Sequence, residues 1–173
     1  AQLDRFMFLV QVGYPTLAEE REILRRTTGG ESQEPRKVVG AAELLELQRA
    51  VRGIAIADHV YDYILALTRG TRVNSESQLP FLKSWVTWGA GPRASQFLVL
   101  GAKAHAALAG RSHVAIEDVR KVVHPVLRHR IVTNFSAQAE GVTSDVIIDR
   151  MVKEVTPAEG VGVGVPGIPQ AKG

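Results

Sequence analysis

The sequence predicts a mainly α protein: a helical bundle of four to five helices, preceded by one strand and one helix. Three observations carry this. From residue 41 to about 155 the apolar residues recur at helical spacing, with no alternating strand pattern. Between Phe6 and Val12 the chain is almost continuously apolar, interrupted by Gln11 and closed by Gly13-Tyr14-Pro15, the pattern of a short buried strand. Between the two lies a polar stretch, residues 31–40, containing Glu31-Ser32-Gln33-Glu34-Pro35. The expected division is residues 1–30, a linker at 31–40, a helical domain at 41–155 and a disordered Gly-, Pro- and Val-rich tail at 156–173.

The elements follow in order. Thr16 is a good N-cap with Glu19 three residues on, a capping-box spacing. Glu19, Glu20 and Glu22 crowd the first turns, Arg25 and Arg26 the last, and Gly29-Gly30 ends the helix. Ala41–Val51 carries Leu44, Leu47 and Val51 on one face. Asp58 is expected to cap a helix to about Thr68, with Val60, Ile64 and Leu67 in line. Residues 70–91 read as irregular. Pro92 opens a long helix to about Ala109, with Phe97, Gly101, Ala104 and Leu108 as its stripe and Gly101, Ala104 and Ala107 small enough for close packing. Ile116–Leu127 is the next helix, which Pro125 should kink or end. Thr143 or Ser144 caps a last helix facing inward with Ile147, Ile148, Met151 and Val155.

Composition excludes several classes. The 173 residues carry 21 Lys and Arg against 18 Asp and Glu, a net charge of +3 with no long basic run, which argues against a nucleic-acid partner. At 45% hydrophobic and 23% charged the chain is globular rather than disordered. Without cysteine there are no disulfides, zinc-thiolate sites or cysteine nucleophiles. No apolar run reaches the roughly 18 residues of a membrane span, and no signal-peptide pattern opens the chain. The chain enters apolar sequence soon after Ala1, so an upstream part is expected.

Two short motifs could carry chemistry. In Gly89-Ala90-Gly91-Pro92-Arg93-Ala94-Ser95, Gly91 suits the cap position and Pro92 the first helical position. Arg93 then stands in the first turn, where a cation opposes the helix dipole. The conflict disappears if an anion sits there, because free backbone N–H groups and a guanidinium together make a phosphate site. On the residues alone, an arginine with its head in water is the favoured reading. In Leu3-Asp4-Arg5-Phe6, Asp4 and Arg5 stand at a strand edge, either projecting toward a ligand or neighbour or forming a surface ion pair. Trp85 and Trp88 read as packing for the glycine loop, and Arg128-His129-Arg130 as a solvated helix end. The histidines lack the spacing of a helical metal site, so no metal is assigned. No Gly-x-x-x-x-Gly-Lys-[Ser/Thr] loop and no nucleophile elbow is present.

Taken together, Leu3-Asp4-Arg5-Phe6, Tyr14-Pro15, Glu22-Ile23-Leu24, Trp88-Gly89-Ala90-Gly91-Pro92-Arg93-Ala94, Ala115-Ile116-Glu117-Asp118-Val119 and Val126-Leu127-Arg128-His129-Arg130 resemble the C-terminal half of a MoxR-type AAA+ ATPase. The resemblance implies that residues 1–30 are the end of an AAA+ α/β core and residues 41–155 its helical lid. It implies Arg5 as an arginine finger acting in trans and Arg93 as sensor 2 in cis, with Gly91 and Pro92 beside the nucleotide. The family's usual Ser before Pro-Arg is Gly91 here, which caps nearly as well. In the full-length parent it implies ATP and Mg2+, a cytoplasmic homo-oligomeric ring such as a hexamer, and a client protein, von Willebrand A domain proteins among them. Walker A and Walker B lie upstream in that family, so the 173 residues alone are expected to be inactive and to bind no cofactor tightly. The alternative is a stand-alone helical binding module, for nucleic acid for example, which needs a basic face. The sequence instead scatters Arg and Lys among acidic residues.

Overall fold

Residues up to Leu9 and from Arg49 onward form one unit of the chain, and Val10–Gln48 form another. The computed structural model describes residues 2–29 and 35–157. Most of the expected tail, beyond Pro157, and linker residues 31–34 lie outside the described residues.

In the smaller unit, α1 (Leu17–Thr28) starts on the expected capping box. Thr16 Oγ1 accepts the Glu19 N–H at 3.4 Å, and Glu19 Oε2 accepts the Thr16 N–H at 2.8 Å. These bonds to Thr16 hold the Glu19 carboxyl below its ordinary pKa. Gly29 ends the helix. Helix α2 (Ala41–Gly53), whose residues from Arg49 on belong to the larger unit, begins where Glu43 accepts the Gly40 N–H at 2.7 Å. No side chain of either helix is buried. Leu44 and Leu47, expected to face a core, stay about half exposed.

Among the described residues, 6–12 form no strand, against expectation. The segment follows a 3-10 turn, Leu3–Arg5, and Leu9 N donates to the Pro125 carbonyl at 2.8 Å. An apolar run signals burial, but a strand also needs a neighbouring strand, and the strands among the described residues, at Val86–Trp88 and Val132–Thr133, pair with each other.

The larger unit is a helical bundle. Helix α3 (Asp58–Gly70) buries Val60, Tyr63, Ile64 and Leu67. Ala57 occupies its cap position and Asp58 its first turn, so Asp58 does not cap it. Helix α4 (Pro92–Leu108) packs on α5 (Ile116–Leu127), with α7 (Ser144–Glu154) against α5. The buried side of α4 is Ala94, Leu98, Gly101, Ala102 and Ala106. Leu108, expected in its stripe, is 89% exposed. A Cβ at Gly101 would lie 3.3 Å from Val122 and 3.4 Å from both Met7 and Phe8, so the missing side chain lets α5 and the N-terminal segment approach α4 together. Helix α5 continues two residues beyond Pro125 to Leu127. Thr143 caps α7, whose Ile147, Ile148 and Met151 are buried as the spacing predicts.

Three elements were not legible: a 3-10 turn at Pro80–Ser84, an antiparallel two-stranded ribbon of β1 (Val86–Trp88) and β2 (Val132–Thr133), and the short α6 (Phe135–Ala139). Strands this short contain too few residues to show alternation. Trp85 packs edge-on to Phe81 at 6.2 Å and donates to Glu140 at 3.1 Å, whereas Trp88 is 71% exposed and packs little of the loop. No helix among the described residues is long and apolar enough to cross a membrane.

Candidate functional site

The glycine loop is held by the end of α3. Thr71 Oγ1 accepts the Ala90 N–H at 2.8 Å and donates to the Thr68 carbonyl at 2.7 Å. A Cβ at Gly89 would fall 2.0 Å from the Thr71 carbonyl oxygen, so only glycine permits this approach. Gly91 is the N-cap of α4 and Pro92 opens it, as expected. Gly91 offers no side-chain cap, and its Cβ position meets nothing within 4 Å. Thr68 and Ser95 hydroxyls bond at 2.9 Å, pinning the first turn of α4 to α3. Arg93 is thus carried on a fixed helix start.

The anion that the dipole argument demands beside Arg93 is present, and the chain supplies it. Arg93 Nη1 donates to Asp4 Oδ2 at 2.9 Å. The other carboxylate oxygen, Asp4 Oδ1, accepts from Arg130 Nε, also at 2.9 Å. The two ion pairs differ in burial: the Arg93 side chain is 49% exposed, that of Arg130 only 2%. An exposed pair of this kind contributes roughly 0–1 kcal/mol, so the Arg93 arm is the weaker one. Arg5, one residue along the same turn, is exposed and makes no ion pair among the described residues.

The basic triplet corrects the sequence reading. Arg128-His129-Arg130 is not a solvated helix end, because all three side chains bond the N-terminal segment. Arg130 donates to the carbonyls of Asp4 (2.7 Å), Phe6 (2.6 Å), Met7 (3.3 Å) and Val126, and its guanidinium lies 5.1 Å from the Phe97 ring centroid. Burial pushes the Arg130 pKa below the ordinary arginine value, with Asp4 opposing the shift and Arg93 adding to it. Arg128 bonds Asp145 at 3.1 Å and the Leu9 carbonyl at 3.4 Å. His129 Nε2 donates to the Phe6 carbonyl at 3.1 Å, while its Nδ1 is buried without a partner among the described residues. Burial, then the Arg130 charge, depresses the His129 pKa, favouring the neutral ring.

The α4–α5 turn holds a buried carboxylate, unlike the part-exposed Asp4. Asp118, with no exposed side-chain surface, accepts two bonds from Arg111, one of them 2.7 Å, and bonds His105 Nδ1 at 2.6 Å and the Ala115 N–H at 2.8 Å. The Arg111 bonds above all hold its carboxyl far below the usual range. Its surroundings are helix cap and turn, which makes it a structural hub. The sequence signal for it was available: an Asp three residues into a helix that opens Ala115-Ile116-Glu117.

Residues 83–151, on the larger unit, match the AAA lid domain family. The matched stretch includes Arg93 and most of the bundle, α4 to α6 with the greater part of α7. Over 155 residues the chain is 35% identical to the chaperone MoxR1 of Mycobacterium tuberculosis, covering 90% of this chain and 41% of that protein. It is 30% identical to the uncharacterized YeaC of Bacillus subtilis, covering 90% and 46%. Its fold matches the crystal structure of a candidate ATPase from Cytophaga hutchinsonii with a TM-score of 0.84 at 31% identity, covering 91% of this chain and 48% of that one. The chain thus fits the C-terminal part of a MoxR-type AAA+ protein, and it spans less than half the length of these relatives.

Proposed function

We propose that the chain supplies the lid and arginine finger of a MoxR-type AAA+ ATPase that couples ATP hydrolysis to chaperone-like remodelling or maturation of partner proteins. Arg93 carries the reading: it stands on the first turn of a lid helix, half exposed and held by one part-exposed carboxylate. In this role Arg93 is sensor 2, meeting phosphate in its own subunit, with the first α4 amides opened by Gly91 and Pro92 beside it. Arg5 is the finger offered to a neighbour in a homo-oligomeric ring, which agrees with its exposure.

These residues suit an anionic phosphate group. They do not suit its metal: among the described residues no three His, Asp or Glu side chains group to hold an ion. The sequence also lacks the Gly-x-x-x-x-Gly-Lys-[Ser/Thr] loop. The reading therefore assigns the phosphate cradle and Mg2+ ligands to the rest of the parent, where ATP and Mg2+ supply the phosphoryl chemistry. The chaperone designation of the Mycobacterium tuberculosis relative supports a client protein. A von Willebrand A domain partner, a hexameric ring and a cytoplasmic location belong to the same proposal.

Mixed rings test it. An Arg5→Ala parent mixed with a Walker B variant should hydrolyse ATP faster than either alone, because some interfaces pair an intact Walker B with an intact finger. A ring with both lesions in every chain has no such interface. If native mass spectrometry confirms mixed rings and no activity returns, Arg5 does not act in trans.

A further inference from the structure

We propose that Asp4 is a positioning residue which occupies Arg93 in place of phosphate and keeps the Arg5 turn anchored when Arg93 leaves. The inference rests on the reading of Arg93 as a phosphate contact and adds how that contact is controlled. One carboxylate serves two arginines: Oδ2 holds Arg93 and Oδ1 holds Arg130, each at 2.9 Å. The arms are unequal. Arg93 is half exposed and has no other bond among the described residues, so an incoming anion can replace Asp4 there. Arg130 is 2% exposed and also bonds the Asp4, Phe6 and Met7 carbonyls, so it keeps the segment when the first arm opens.

The chemistry suits an exchange. A carboxylate and a phosphate oxygen are both anionic acceptors for a guanidinium, and the positive end of α4 favours either. Arg93 therefore stays paired in both states and is never left as an uncompensated cation at a helix N-terminus. Asp4 directly precedes Arg5, so release of Arg93 by Asp4 occurs on the same 3-10 turn that carries the proposed finger. Nucleotide in one subunit's site would thereby be felt at the residue offered to the neighbour.

The test titrates Mg·ATPγS into the intact parent protein by calorimetry, with Asp4→Asn, Arg93→Ala and the double variant. Asp4→Asn keeps the shape and an acceptor for Arg130 but removes the competing charge. It should tighten binding about two- to fivefold, the factor set by losing one exposed pair. Arg93→Ala should weaken binding, and Asp4→Asn should add nothing on top of it. A merely structural Asp4 would leave affinity unchanged or lower it. Asp4→Ala should shift affinity in the same direction, which guards against an effect peculiar to asparagine. If Arg93→Ala weakens binding and neither Asp4 variant tightens it, the exchange is overturned while Arg93 remains a phosphate contact. If Arg93→Ala leaves binding unchanged, the phosphate role of Arg93 fails and the exchange falls with it.

Discussion

Arg130 Nε meets Asp4 Oδ1 at 2.9 Å across 126 residues of chain, joining the end of the α5 region to the turn that carries Arg5. The last carbonyls of a helix lack intrahelical partners. In α5 the Pro125 carbonyl accepts the Leu9 N–H and the Val126 carbonyl accepts Arg130, so the helix end and the N-terminal segment satisfy one another.

Removing Arg130 should release the segment. Arg130→Ala removes its donors from the Asp4, Met7 and Val126 carbonyls, leaves the Phe6 carbonyl to His129, and should destabilise the bundle by about 2–4 kcal/mol. Hydrogen exchange reads the local effect. In the parent sequence the Leu9 amide should be protected between fast-exchanging Phe8 and Val10, since Leu9 alone of the three bonds the lid backbone among the described residues. In the variant that protection should vanish. A protected Leu9 without Arg130 would show that the apolar contacts of Met7 and Phe8 at Gly101 suffice.

Two glycines in one loop should respond oppositely. Gly89→Ala drives a Cβ into the Thr71 carbonyl and must displace the loop, so thermal unfolding should fall by several degrees. Gly91→Ser meets open space and adds a side-chain cap, so stability should rise by a few tenths of a kcal/mol. Comparable losses at both sites would mean the loop is not held as described.

Acid should loosen the N-terminal segment through His129. Its folded pKa lies below the unfolded value near 6.5, so in the interval between them the unfolded chain binds more protons. Stability then rises with pH across that interval and falls as pH drops below about 6.5. The charges facing the ring are Arg128 and Arg130, which disfavour protonation, and Asp4, which favours it. His129→Gln should flatten the melting temperature between pH 7 and 5.5 relative to the unaltered chain. An unchanged slope would assign the acid sensitivity elsewhere.

The 173 residues alone should not hydrolyse ATP and should bind it weakly. They offer one phosphate-facing arginine and a helix start, without the glycine-rich cradle. Submicromolar ATP binding by calorimetry would contradict the proposed division of labour.

What the sequence determined by itself was local. The capping box of α1, the Gly91-Pro92 start of α4 and the spacing of Ile147, Ile148 and Met151 are interactions within a turn or two, written in neighbouring residues. Arg93 was legible as an anomaly for the same reason: a cation against a helix dipole is a conflict between neighbours. Only the tertiary structure decided how the conflict is met. Asp4 lies 89 residues from Arg93 and 126 from Arg130, and no periodicity reports which distant side chains will share one carboxylate. The same limit explains the strand expected at 6–12. Its apolar run encodes a wish for burial that is only partly met here: Met7 and Phe8 reach the side of α4 opened by Gly101 and Leu9 N bonds the carbonyl end of α5, while Phe6, Val10 and Val12 stay exposed.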